Sequence, residues 1–158
     1  MSLKTLCLMV VAVLIAPLAA RADSAPTSED VKKVVEYYKN GKDGGPILAE
    51  IKPCLKVDTT KGSATIWECI EPVTAKVKKD TTVHAWMNWL VPKDGKYDDL
   101  TVQWLFNGEV RSADDMALNS SSYAGPYFKS KTVNKVGKWE VKVLRGGKEL
   151  GSAKFEVE

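Results

Sequence analysis

Thr81 to Val91 reads TTVHAWMNWLV, and it alternates. Val83, Ala85, Met87 and Trp89 fall on one side, and His84, Trp86, Asn88 and Leu90 on the other. Alternation of this kind marks a β-strand, whose side chains point to opposite faces with a period of two. One side is wholly apolar and the other half so, which suits a central strand of a sandwich. It is the longest such run in the chain, and Pro92-Lys93-Asp94-Gly95 ends it.

Moving toward the C-terminus, Val102, Trp104 and Phe106 alternate inward, and Asn107-Gly108 then supplies a type I′ turn into Glu109-Val110-Arg111. Ser112 to Ser122 shows no clear period. Ala124 to Thr132 reads as a strand weakened by Pro126. Trp139, Val141 and Val143 face in, and Arg145-Gly146-Gly147-Lys148 turns the chain. Ala153, Phe155 and Val157 close it. Toward the N-terminus, Thr65 to Ile70 (TIWECI) reads as a short strand, and Ile47, Ala49 and Ile51 alternate with Leu48, Glu50 and Lys52 in another. Short strands at regular spacing with Gly-rich turns predict an antiparallel β-sandwich of seven or eight strands.

Before Pro46 the period is 3.6. Val31, Val34, Val35 and Tyr38 share one helical face, Thr27 or Ser28 caps the start, and Asn40-Gly41 stops it, so a helix is expected over 28–40. Residues 23–46 are thus a polar leader and a helix, and 47–158 the sandwich. The first 22 residues are different again. After Lys4, Thr5 to Ala20 carries no charge, and Ala20-Arg21-Ala22 is a small-x-small exit. These are the parts of a cleavable signal peptide, 1–22. The apolar run is too short for a spanning helix of about 20 residues, and Pro17 interrupts it. Nothing later in the chain is long and apolar enough to span a bilayer. Loss of Lys4 and Arg21 takes the formal charge from +3 to +1. Such a balance argues against nucleic acid, whose binders carry a basic surface. A periplasmic or secreted location is expected.

Two cysteines remain in the exported part, Cys54 and Cys69. In an oxidising compartment such a pair cross-links. The enclosed loop of about 15 residues gives a bridge worth roughly 3 kcal/mol. A redox-active pair is the rival reading, though the C-x-x-C spacing that tunes such sites is missing.

The run Gly137-Lys-Trp139-Glu-Val141-Lys-Val143, with Gly147-Lys-Glu-Leu150 and Phe155-Glu-Val157 after the turn, resembles the closing hairpin of bacterial exported immunoglobulin-like domains. His84-Ala-Trp86 with the Val102 to Arg111 hairpin is similar to the middle of an uncharacterised family of such periplasmic domains. The resemblance spans about 47–158. It implies an immunoglobulin-like sandwich acting as a binding or spacer module, and it carries no catalytic residues. The Cys54/Cys69 pair departs from the inter-sheet bridge of antibody domains.

Chemistry is sparse. His84 is the one histidine, and no G-x-S-x-G, H-E-x-x-H or Gly-rich phosphate loop occurs. Zinc wants three or four ligands. Copper(I) with His84 and Met87 fails because residues three apart on a strand point to opposite faces. Asp98-Asp99 and Asp114-Asp115 are acidic pairs too small for the six to eight oxygens of calcium. Asn119-Ser120-Ser121 matches a glycosylation acceptor, which matters only in a eukaryotic secretory route. Of the tryptophans at 67, 86, 89, 104 and 139, most fit inward positions, and Trp86 is the exception. It shares a face with His84 and Asn88, open to stack on a sugar or grip a partner unless the helix covers it.

The expectation is a non-enzymatic, exported binding or accessory module without a cofactor, contacting a protein or an envelope component. Its contact positions are His84, Trp86 and Asn88, with Tyr123 and Tyr127. The alternative is a small redox or metal-handling envelope protein using Cys54/Cys69 or His84.

Overall fold

The long stretches of period two become strands, and the one stretch of period 3.6 becomes a helix. In the computed structural model, residues 27–40, 45–92, 94–119 and 124–158 are described. The expected signal peptide at 1–22 and Tyr123 lie outside them. The helix α1 runs Ser28–Asn40. Eight strands follow: β1 Ile47–Val57, β2 Cys69–Pro72, β3 Thr81–Leu90, β4 Lys96–Phe106, β5 Glu109–Asn119, β6 Ala124–Val133, β7 Gly137–Arg145 and β8 Lys148–Val157.

They form two four-stranded sheets of order β2-β1-β3-β6 and β5-β4-β7-β8, with every paired neighbour antiparallel. The chain changes sheet between β3 and β4, between β5 and β6, and between β6 and β7. This is an immunoglobulin-like sandwich, mainly β, with one short helix ahead of it. β3 is central in its sheet, as its double-sided apolar pattern requires. It is one residue shorter than β1, β4 and β5, so it is not the longest strand.

The core is the inward side of both sheets. Val83, Ala85, Met87 and Trp89 of β3 pack opposite Val102 and Trp104 of β4, Trp139, Val141 and Val143 of β7, and Phe155 and Val157 of β8. The Asn107-Gly108 turn has positive φ at both residues (51° and 87°), as a type I′ hairpin demands. Two core indoles, Trp89 and Trp104, have no hydrogen-bond partner for Nε1 among the described residues. An aromatic ring burying 150–250 Å² gains about 4–6 kcal/mol at ~25 cal/mol per Å², against about 1–3 for the unmade bond, so burial wins.

Four local readings are corrected. Residues 64–67 are a turn, and the TIWECI strand begins only at Cys69. Ser112 to Asn119 belongs to β5; its inward side carries Ser112 and Asp114 before Met116 and Leu118, which blurs the period. In β1 a bulge between Leu48 and Glu50 breaks the alternation, so that Leu48 and Ile51 both face the core. Trp86 is covered by the loop between β1 and β2. The helix meets β1, where Lys33 Nζ donates to the Ala49 carbonyl at 3.3 Å, and Val31, Val34 and Val35 stay exposed.

If β3 is the core strand, Met87→Ala should cost about 2–5 kcal/mol. Val110→Thr, on an exposed hairpin residue, should stay within about 0.5 kcal/mol. Urea unfolding of both variants checks this, and similar losses would remove β3 from the centre of the fold.

Candidate functional site

The outer face of the first sheet is built in rows that cross β1, β3 and β6. Cys54, His84 and Ser130 form one row; Lys52, Trp86 and Phe128 the next; Glu50, Asn88 and Pro126 the third. Thr82 pairs with Thr132 at the far end, their hydroxyls 3.2 Å apart. Along β3 and β6 this face presents Thr, His, Trp, Asn, Leu, Pro, Phe and Ser, and no Asp, Glu, Lys or Arg. Burial pushes the His84 pKa below its ordinary value, so the imidazole is neutral at physiological pH. Its Nδ1 lies 2.7 Å from Ser130 Oγ, and its ring meets Phe128 edge-on at 5.4 Å.

The loop between β1 and β2 folds over the middle row. Cys54 and Cys69 are disulfide-bonded, joining two neighbouring strands of one sheet rather than the two sheets. Inside the loop, Asp58 is a buried carboxylate. It accepts from the Thr60 amide at 2.8 Å, the Ser63 hydroxyl, and the Thr65 hydroxyl at 2.8 Å. These bonds, that from Ser63 foremost, hold it well below the usual carboxylate range. The Asp58 amide donates to the Glu68 carbonyl, and the Trp67 amide to the Asp58 carbonyl. With its backbone fixed in this way, the loop aims the Trp67 carbonyl at the sheet, where it accepts from Trp86 Nε1 at 2.8 Å.

The two tryptophans therefore trade the places expected of them. Trp86 is 3% exposed, packed with Cys54, Val57, Cys69 and Phe128, and Lys52 Nζ sits 4.3 Å from its ring centre. Trp67, expected as core filler, is 46% exposed, with its ring 6.3 Å from that of Phe128. No periodicity marks Trp67; the one signal in the sequence is its place inside the cysteine loop.

Of the other expected contact positions, His84 and Asn88 are half-buried on this face. Tyr127 is not with them. It pairs with Met87, and so lies on the inward side, packed against the core. Asp99 does not face solvent alone, because Arg145 Nε donates to its carboxylate at 2.9 Å. Among the described residues no three His, Cys, Asp or Glu converge as metal ligands.

The second sheet's outer face contrasts with the first. Lys142 pairs with Glu149 at 3.0 Å and with Glu140 at 3.9 Å, and Lys76 reaches Glu156 at 3.3 Å. A groove of about 600 Å³ beside the Asn107-Gly108 turn is walled by Glu140, Glu156, Lys138 and Lys154, and by Trp139 and Phe155.

Reducing the disulfide should lower stability by roughly 3 kcal/mol. It should also release the loop, so that Trp86 joins Trp67 as a tryptophan quenched by acrylamide. Quenching confined to one tryptophan after reduction would show that the loop stays closed without the bridge. Asp58 gives a pH test. Its folded pKa lies below the unfolded value of about 3.9, so its contribution is complete above that value and is lost progressively as pH falls from there toward the folded pKa. The stability gap between wild type and Asp58→Asn should be level from about pH 7 to 5 and close below about pH 4. A gap that ignores pH would mean the hydroxyls do not hold the carboxylate.

No family model and no curated protein matches the chain. Among solved structures it is similar to an immunoglobulin-like protein from Pseudomonas aeruginosa, at 13% identity and a TM-score of 0.45, covering 72% of this chain and 96% of that one. It is also similar to the CARDB domain of a Pyrococcus furiosus protein, at 12% identity and a TM-score of 0.36, covering 52% of this chain and 85% of that one. A third similarity is to an alkylpurine DNA glycosylase from Pseudomonas fluorescens, solved on DNA containing an abasic site analogue. Identity there is 16% and the TM-score 0.41; the match covers 54% of this chain and spans only 28% of the glycosylase. Likenesses at this level say nothing about what this chain binds.

Proposed function

We propose that this chain is an exported, non-enzymatic binding module that contacts a protein or another envelope component through the outer face of its first sheet. The observation that carries the reading is the difference between its two outward faces. One is laced with ion pairs, as a solvated surface is. The other carries the Lys52–Glu50 pair on β1 but is uncharged along β3 and β6, and a pinned loop holds a half-exposed tryptophan over it. Aromatic residues with few charges are the composition of contact surfaces. The leader at 1–22 and the disulfide support export.

The chemistry favours binding over catalysis. His84 and Ser130 make half of a nucleophilic pair. Among the described residues, however, no carboxylate is seen to orient the imidazole, and the pair lies on a sheet face rather than in a cleft. The redox alternative has less support, since Cys54 is fully buried beneath the loop.

The test is site-specific photocrosslinking in the native envelope fraction. A photoreactive phenylalanine analogue at position 128 or 84 should capture the same species. The analogue at position 142, on the charged face, should capture none. Capture from 142 alone would place the contact surface on the wrong sheet.

A further inference from the structure

We infer that the occupant of this face is a neutral sugar ring, part of an uncharged polysaccharide, stacked on the exposed indole of Trp67. The inference rests on the preceding reading that the first sheet's outer face is the contact surface.

The platform is rigid. The Trp67 amide is held at 2.6 Å by the Asp58 carbonyl, its own carbonyl by Trp86 Nε1, and Cys69 two residues on is covalently tied to β1. Its φ is +69°, in the left-handed region where a bulky residue is uncommon and strained. Glycine would fill that position without strain, yet the chain holds its largest side chain there with the ring turned toward water. A ring fixed in advance loses little freedom when a ligand stacks on it.

Along β3 and β6 the surroundings are neutral hydrogen-bonding groups. Asn88 carries both a carbonyl and an amide, and the Ser130 hydroxyl and His84 imidazole each donate or accept. Phosphates, anionic lipids and acidic polymers are bound by Lys and Arg; the outward residues of β3 and β6 include neither, and Lys52 of β1, beside Trp86, is paired with Glu50 at 2.8 Å. A pyranose meets this surface on both counts. Its C–H face carries slight positive charge toward the negative face of an indole, and its hydroxyls are neutral donors and acceptors.

Size separates a sugar from a protein. A specific protein interface buries at least about 1,000 Å² around an apolar centre. Here one indole, 46% exposed, stands out of the face, and Phe128, Pro126 and Leu90 on that face are half-buried. That is the footprint of a ring, repeated along a polymer.

The experiment is affinity electrophoresis of the exported chain, disulfide intact, through gels holding dextran, laminarin, galactomannan or hydroxyethylcellulose, with alginate as the acidic control. At least one neutral polymer should retard the wild type, and alginate should not. Trp67→Ala should weaken retardation about tenfold or more, while Val110→Thr on the other sheet should leave it unchanged. Trp67→Gly, which suits the backbone at +69°, guards against a folding defect in the alanine variant. The retarding polymer should also slow oxidation of Trp67 by N-bromosuccinimide, read by peptide mass. Equal retardation of wild type and both Trp67 variants overturns the inference, as does a blank with all four neutral polymers. If the gels are blank while position 128 crosslinks a protein, the sugar is wrong and the contact face stands. If positions 84 and 128 crosslink nothing either, both readings fall.

Discussion

The indole N–H of Trp86 donates to the carbonyl of Trp67 at 2.8 Å, and the shape of the outer face follows from that contact. A buried indole N–H left without an acceptor costs about 1–3 kcal/mol. Trp86 lies outside the main core and can be covered only if something brings it an acceptor. The cysteine loop does so. The bridge limits how far the loop can wander, Asp58 draws Thr60, Ser63 and Thr65 inward, and the carbonyl that results points down at the sheet. Once the carbonyl points down, the Trp67 ring is directed outward. One tryptophan is buried because the other is exposed.

This reciprocity explains what the sequence could and could not disclose. Alternation depends only on the period of a strand, so the inward sides of β3, β4, β7 and β8 were legible from Val83, Val102, Trp139 and Phe155. Turn chemistry is equally local, and Asn107-Gly108 announced its hairpin. The limits of the helix at 28–40 followed from its cap and its stop. The exposure of Trp86 and Trp67 is not a local property. It depends on a bridge spanning fifteen residues and on a carboxylate that rigidifies the loop between. Alternation placed Trp86 on the outer face correctly, but it could not show that a loop covers that face. The bulge in β1 and the polar inward residues of β5 defeat the period for a different reason: they sit next to irregularities in register, where a count of two no longer tracks the face.

The two outward faces of the sandwich solve different problems. On the second, lysines and glutamates alternate in sign, which keeps the surface wet, and exposed pairs of this kind add little stability. On the first, the outward side of β3 and β6 stays neutral even at its one titratable group, His84. Partial burial lowers the His84 pKa, and the ring sits between Phe128 and the Ser130 hydroxyl, a neutral partner. A carboxylate at position 130 would have drawn a proton onto the imidazole and charged the face.

A β-sandwich can bind through its edges or through its faces, and here the edges are obstructed. Adding a strand needs a free, regular ladder. The β6 edge carries Pro126, which cannot donate, and Lys129 and Lys131 lie on its inward side. Inward charges at an edge discourage pairing because a new strand would desolvate them. β5 carries Asp114 on its inward side and has irregular register with β4 near both ends. The end of β8 is already taken, since Val77 pairs with Val157. β2 is four residues long and tied by its cysteine. With these interruptions at the edges, a partner would meet a face, and the first sheet's face offers the apolar surface, its ion pair Lys52–Glu50 being confined to β1. The cost of holding Trp67 in a left-handed conformation is then intelligible, because a relaxed backbone would turn that ring away from the one surface able to use it.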